Sequence, residues 1–152
     1  MSATTRAPRP GERDGVHYHF LDDADFDRRI AAGDFLEHAR YAANRYGTLR
    51  SEVEPRLEQG GSVVLEIEVQ GARQVREAMP EAVTVFIAPP SAADLRRRLE
   101  GRGTDQPEEI ERRLQEAERE LGARGEFAHE VVNDDVDAAS ERLLSLVRGQ
   151  LR

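Results

Sequence analysis

The sequence predicts an α/β fold, a parallel sheet with flanking helices. Three observations carry this. After Gly60-Gly61, apolar β-branched runs alternate with helix-forming runs in the order strand, helix, strand, helix. The second of those helices opens on a Ser91-x-x-Asp94 capping box. The 152 residues, 38% of them hydrophobic, suit one compact domain.

The elements follow in order. Residues 1–20 are rich in Thr, Arg, Pro and Gly and read as an extended loop entering a short strand near His17 to Phe20. Asp22 to Ala32 reads as a helix with Phe26 and Ile30 on one face, stopped by Gly33. A second short helix is expected over Glu52 to Gln59. SVVLEIEV is a strand, GARQVREAM a helix ending before Pro80, and VTVFIA a second buried strand. Ser91 then caps a helix running through LRRRLE. Pro107 suits the first turn of a long helix striped by Ile110, Leu114, Ala117 and Leu121. HEVVN is the third strand, and Val136, Leu143, Leu144 and Val147 line a closing helix. Three parallel strands are few for such a domain, so the reading expects an exposed edge or an absent element.

All 22 basic residues are arginine, and there is neither lysine nor cysteine. No residue can form a Schiff base, act as the lysine of a phosphate loop, or supply a thiolate. The formal charge of -8 argues against a nucleic-acid surface. No apolar run is long enough for a membrane span and no signal-peptide core is visible, so the expected setting is cytoplasmic, without nucleic-acid or membrane partners.

Four groups could do chemistry. Arg6 and Arg9, three apart on a loop stiffened by Pro8 and Pro10, can form a fork for phosphate or carboxylate oxygens, with Tyr18 as a further donor; the alternative is a charged surface loop. Glu37, Tyr46 and Thr48 provide a carboxylate beside hydroxyls, suited to a base edge that presents two N–H donors, or else a surface glutamate beside a core tyrosine. Glu66 and Glu68 share a face of the SVVLEIEV strand, near its carboxyl end. Arg98, Arg102 and Arg113 are candidate clamps on a transferring phosphoryl group, with Gly101 and Gly103 permitting lid movement. His17, His19, His38 and His129 do not form a metal site, and none is expected.

Taken together and in order, SATTRAPRPGERDGVHYHF, GDFLEHARYAANRYGT, VVLEIEVQGARQVR, VFIAPPSAADLRRRLEGRGTD, IERRLQEAERE and VVNDD resemble the guanylate kinases, which move the terminal phosphoryl group of ATP to GMP. The resemblance implies a P-loop kinase-like parallel sheet over residues 1–152, a GMP-binding part over 3–50 and a lid over 96–115. It implies Arg6, Arg9, Tyr18 and Tyr46 as ligands of the GMP phosphate. Ser2, Glu37 and Thr48 would read the guanine. Glu68 stands at a further GMP-side position, where the family commonly has aspartate. Arg102 and Arg113 would clamp the ATP phosphates, Asn133 would lie near the adenine, and Mg²⁺ would come with ATP. The family also begins with a strand and a G-x-x-x-x-G-K-[ST] loop, which this sequence does not contain. From this the reading expects a domain lacking its first strand and phosphate loop, begun at an internal valine codon, with little turnover. A guanylate-kinase-like binding module for GMP or a phosphorylated peptide is the alternative.

Overall fold

The computed structural model describes residues 1–41, 43–101 and 107–150. They form two compact units, Met1–Ala82 and Val83–Arg152.

The first unit is built on a four-stranded mixed sheet of order β2-β1-β4-β3, with β1 at Ser2–Thr4, β2 at His19–Phe20, β3 at Phe35–Tyr41 and β4 at Asn44–Leu49. β1 runs parallel to β2 and antiparallel to β4, which in turn pairs antiparallel with β3. The extended-loop expectation for residues 1–20 is therefore corrected at its start. Ser2–Thr4 is an interior strand, because Ala3 is apolar enough to sit wholly buried under Phe26, Phe35 and Leu49. The description of the domain as lacking its N-terminal strand and phosphate loop is corrected with it: the chain has an N-terminal strand, paired on both sides. What is retained is a fact of the sequence alone, that no G-x-x-x-x-G-K-[ST] run occurs in it.

Helix α1 spans Asp23–Ala32. Asp22 caps it by accepting the Asp25 N–H at 2.7 Å, and Gly33 closes it by donating to the Ile30 and Arg29 carbonyls. It buries Phe26 against Phe35, with ring centroids 4.5 Å apart. Beneath this pair Gly47 faces Ala3 and His38 across the ladders. A Cβ there would stand 2.8 Å from the Phe35 ring and 2.9 Å from the Glu37 carbonyl oxygen. Backbone and a stacked ring cannot both retreat, so Gly47→Ala is expected to cost about 1–3 kcal/mol in urea-induced unfolding.

Helix α2 spans Arg50–Glu58 and α3 spans Val69–Ala78. Between them the expected strand SVVLEIEV is not one: residues 62–68 have no ladder partner. Side chains nevertheless alternate. Val63, Leu65 and Ile67 pack on Leu36, Val53 and Val75, while Val64 is 79% exposed. Burial has imposed the period of a strand, but no neighbouring backbone closes the hydrogen bonds, so pattern and pairing part company here.

In the second unit β5 (Val85–Ala88) and β6 (His129–Val132), the second and third expected strands, pair in parallel, while the expected strand-helix-strand unit from SVVLEIEV to VTVFIA is lost with its first strand. Ser91 caps α4 (Ala92–Glu100), its hydroxyl accepting the Asp94 N–H at 3.0 Å and donating to the Asp94 carboxylate at 2.7 Å. Helix α5 covers Pro107–Gly122 with Leu114 buried, and α6 covers Val136–Gln150. The stripe expected on α6 is rotated: Ala139 is buried and Leu143 and Val147 are half-buried, but Val136 and Leu144 face solvent.

Candidate functional site

The first unit assembles most of the residues singled out from the sequence, and the sheet register does it. Ser2 pairs with Thr48 and Thr48 with Glu37, so the three form one row across β1, β4 and β3. Thr4, Tyr46 and Ala39 form the next row, two residues along and on the same face. A β-bulge between Phe35 and Glu37 makes this possible. Without it Glu37 would fall opposite Gly47 and point toward Phe26; the extra residue turns Glu37 to the Thr48 side while Phe35 stays in the core.

Glu37 is 4% exposed. The Thr48 hydroxyl donates to its Oε1 at 2.7 Å. Burial pushes the Glu37 carboxyl above the usual carboxylate range, opposed by the Thr48 hydrogen bonds and reinforced by the charge of Glu68. Glu68 precedes α3 as its capping residue and is half-buried, whereas Glu66 is exposed, so the two glutamates do not act as a pair.

A raised folded-state pKa means that folding favours the protonated acid. That contribution is complete below the pKa of the unfolded glutamate and is lost as pH rises through the folded value. Wherever the pH ionises Glu37, the buried charge therefore opposes folding. Glu37→Gln is expected to raise the melting temperature at pH 7, with the gain shrinking toward pH 4 in thermal scans.

Next to this row lies the arginine loop. The Arg6 guanidinium binds both Glu12 carboxylate oxygens at 2.9 Å and the Ala7 carbonyl at 2.8 Å. It lies 5.5 Å from the centre of the Tyr18 ring, and Tyr18 meets Tyr46 edge-on at 6.5 Å. Arg6, Tyr18 and Tyr46 are thus brought together. Glu12 organises the loop by also accepting the Arg9 main-chain N–H at 2.7 Å; that bond, followed by the Arg6 contact, holds its carboxyl below the usual range. The Arg9 side chain is exposed. One end of the face therefore offers a cation with hydroxyl donors and the other a desolvated acceptor. That arrangement suits a ligand carrying an anion and an N–H-bearing ring.

In the second unit, a recess of about 230 Å³ is lined by Ile87, Ala88, Pro89, Leu95, Arg98, Leu99 and Asn133. Asn133 is held by its main chain, donating to Ala88 at 2.8 Å and accepting from Arg98 at 2.8 Å. Arg113 is half-buried on α5, while Arg102 and Gly103 lie outside the described residues. Among the described residues no group of three His, Asp or Glu side chains is placed to hold a metal ion, and no helix is long and apolar enough to cross a membrane.

The family model described as guanylate kinase matches residues 1–150. The chain belongs to the guanylate kinase family. It is 58% identical over 146 residues to the guanylate kinase of Streptomyces coelicolor, covering 96% of this chain and 74% of that one. With the guanylate kinase of Frankia casuarinae it shares 55% over 149 residues, covering 98% of this chain and 81% of that one. The crystal structure of guanylate kinase from Anaplasma phagocytophilum superposes with a TM-score of 0.82 at 34% identity, over 99% of this chain and 73% of that one. The α/β kinase fold inferred from the sequence thus stands, but the reading of this guanylate kinase as a domain without an N-terminal strand does not, since β1 is present and paired on both sides. Sequence reasoning singled out neither Gly71 nor Gln74, both of which touch β3 at or beside Glu37. The quoted motif VVLEIEVQGARQVR contained them, but nothing in their residue types announced the contact.

Proposed function

We propose that this chain transfers the γ-phosphoryl group of ATP to GMP, giving GDP and ADP. The observation that carries the reading is the buried Glu37–Thr48 pair set on the same sheet face as the Arg6, Tyr18 and Tyr46 group. Glu37 would accept the two N–H groups on the guanine edge, with Thr48 and Ser2 completing the base contacts and Glu68 beside them. Arg6, Arg9, Tyr18 and Tyr46 would hold the GMP phosphate. Arg6 is held by Nη2 on both Glu12 oxygens and by Nη1 on the Ala7 carbonyl, so a phosphate dianion meets an oriented guanidinium. Arg102 and Arg113 would neutralise charge on the ATP phosphates, and Asn133 would stand near the adenine. Mg²⁺ would arrive on the nucleotide phosphates and supply charge neutralisation there. What these side chains contribute is position and electrostatics, without a covalent protein intermediate.

Binding of GMP by calorimetry together with ATP-dependent formation of GDP by the purified chain tests this; failure of both sinks it. Recognition is also pH-dependent. Glu37 must be ionised to accept two N–H groups, and burial raises its pKa, so the preference for GMP over IMP, which lacks the guanine amino group, should fall as the pH is lowered from neutral, before an ordinary glutamate would titrate. Both nucleotides carry the same phosphate, so the ratio isolates the base. A constant ratio would remove Glu37 from base recognition. Phosphopeptide binding is the second reading; Glu37 and Thr48 have no role in it, and titrating GMP against a phosphoserine peptide separates the two.

A further inference from the structure

The first turns of α3 are pressed against the strand that carries Glu37. A Cβ built on Gly71 would lie 3.1 Å from the Glu37 Cδ and closer still to Oε2. A side chain there would have to push the Glu37 carboxylate aside, and Gly71 is buried. One turn further on, both ends of the Gln74 amide meet a single residue of β3. Its Oε1 accepts the His38 main-chain N–H at 3.1 Å, and its Nε2 donates to the His38 carbonyl at 2.7 Å. Nε2 also reaches the Gln70 carbonyl at 3.3 Å. The amide therefore binds β3 as a neighbouring strand would, at an otherwise unpaired edge, one residue beyond Glu37.

Together these contacts constrain Glu37 from three directions. Thr48 binds Oε1, the Gly71 backbone walls off Oε2, and the Gln74 clamp holds the main chain next to it. The bulge makes such a clamp necessary, because a bulged strand has lost a regular ladder position just before Glu37. An acceptor that must meet two N–H groups at once tolerates little displacement. We propose that Gly71 and Gln74 are positioning residues for guanine specificity. They set the orientation of the Glu37 carboxylate without touching the nucleotide. The proposal rests on the reading of Glu37 as the guanine acceptor.

The test compares GMP and IMP dissociation constants for the wild-type chain, Gly71→Ala, Gln74→Ala and Glu37→Gln. If Gly71 and Gln74 position the carboxylate, both of their variants lose at least about fivefold in the GMP to IMP preference while IMP affinity stays within about twofold of wild type. An unchanged preference in Gln74→Ala overturns the proposal, whether or not Gly71→Ala folds. So does equal weakening of both nucleotides, which a merely structural role would produce. Glu37→Gln separates the two levels. If it keeps the full preference, the base reading itself fails; if it loses the preference while the two α3 variants keep theirs, only the positioning role fails.

Discussion

Replacing Arg6 by alanine is expected to weaken GMP binding by roughly 30- to 1000-fold, the equivalent of about 2–4 kcal/mol for charge-assisted bonds lost from a forked guanidinium. Two terms act together. The phosphate loses its cation, and Glu12, whose two carboxylate oxygens now bind Arg6 at 2.9 Å, is left ionised in the same loop to repel it. Arg6→Lys should recover only part of the loss, since an ammonium restores charge but not the planar fork. Guanosine, which has no phosphate, is the control and should bind wild type and Arg6→Ala alike. Calorimetry with the two ligands decides the matter. If guanosine weakens as much as GMP, Arg6 is supporting the loop and does not bind phosphate.

The largest effect on stability is expected at Phe26. Its side chain is completely buried, stacked 4.5 Å from Phe35, with the Arg45 guanidinium 4.4 Å from the ring centre and His38 edge-on at 6.5 Å. Phe26→Ala should cost about 3–5 kcal/mol, a transfer term plus an unfilled cavity. That is a large part of the stability of a typical domain. Chemical unfolding of the variant should show the Met1–Ala82 unit melting at much lower denaturant, and GMP binding should fall with it, since the row carrying Glu37 and Thr48 lies on the opposite face of the same sheet. Phe26→Leu, which refills much of the volume, should recover most of the loss. A shift under 1 kcal/mol for the alanine variant would show that α1 contributes little to the sheet.

Helix boundaries were the readily legible part of this protein, because capping and periodicity are local. Gly33 and Ser91 each make the backbone bonds their positions in the sequence suggested, whereas Asp22, expected as the first helical residue, is the cap. The strands were less so. VTVFIA and HEVVN pair in parallel, but SVVLEIEV has the composition and even the alternating burial of a strand without a partner. Ser2–Thr4 is the reverse case, three residues with no detectable pattern that become an interior strand because β2 and β4 lie on either side. Pairing is a property of neighbours, and three residues cannot announce theirs.

The sequence alone determined which chemical groups were available: arginines as the only permanent side-chain cations, no thiol, and a short list in which Arg6, Tyr18, Glu37, Tyr46 and Thr48 stood out. The order of their motifs was enough to point to a family. Tertiary structure decided which of those groups meet. The register places Ser2, Thr48 and Glu37 in one row, the bulge turns Glu37 onto that face, and Gly71 and Gln74 hold it there from a helix more than thirty residues further along the chain. These are distances between segments remote in sequence. They are set by the burial of Ala3, Phe26 and Phe35 beneath the sheet, and by the requirement that the backbone around a buried carboxylate keep its hydrogen bonds.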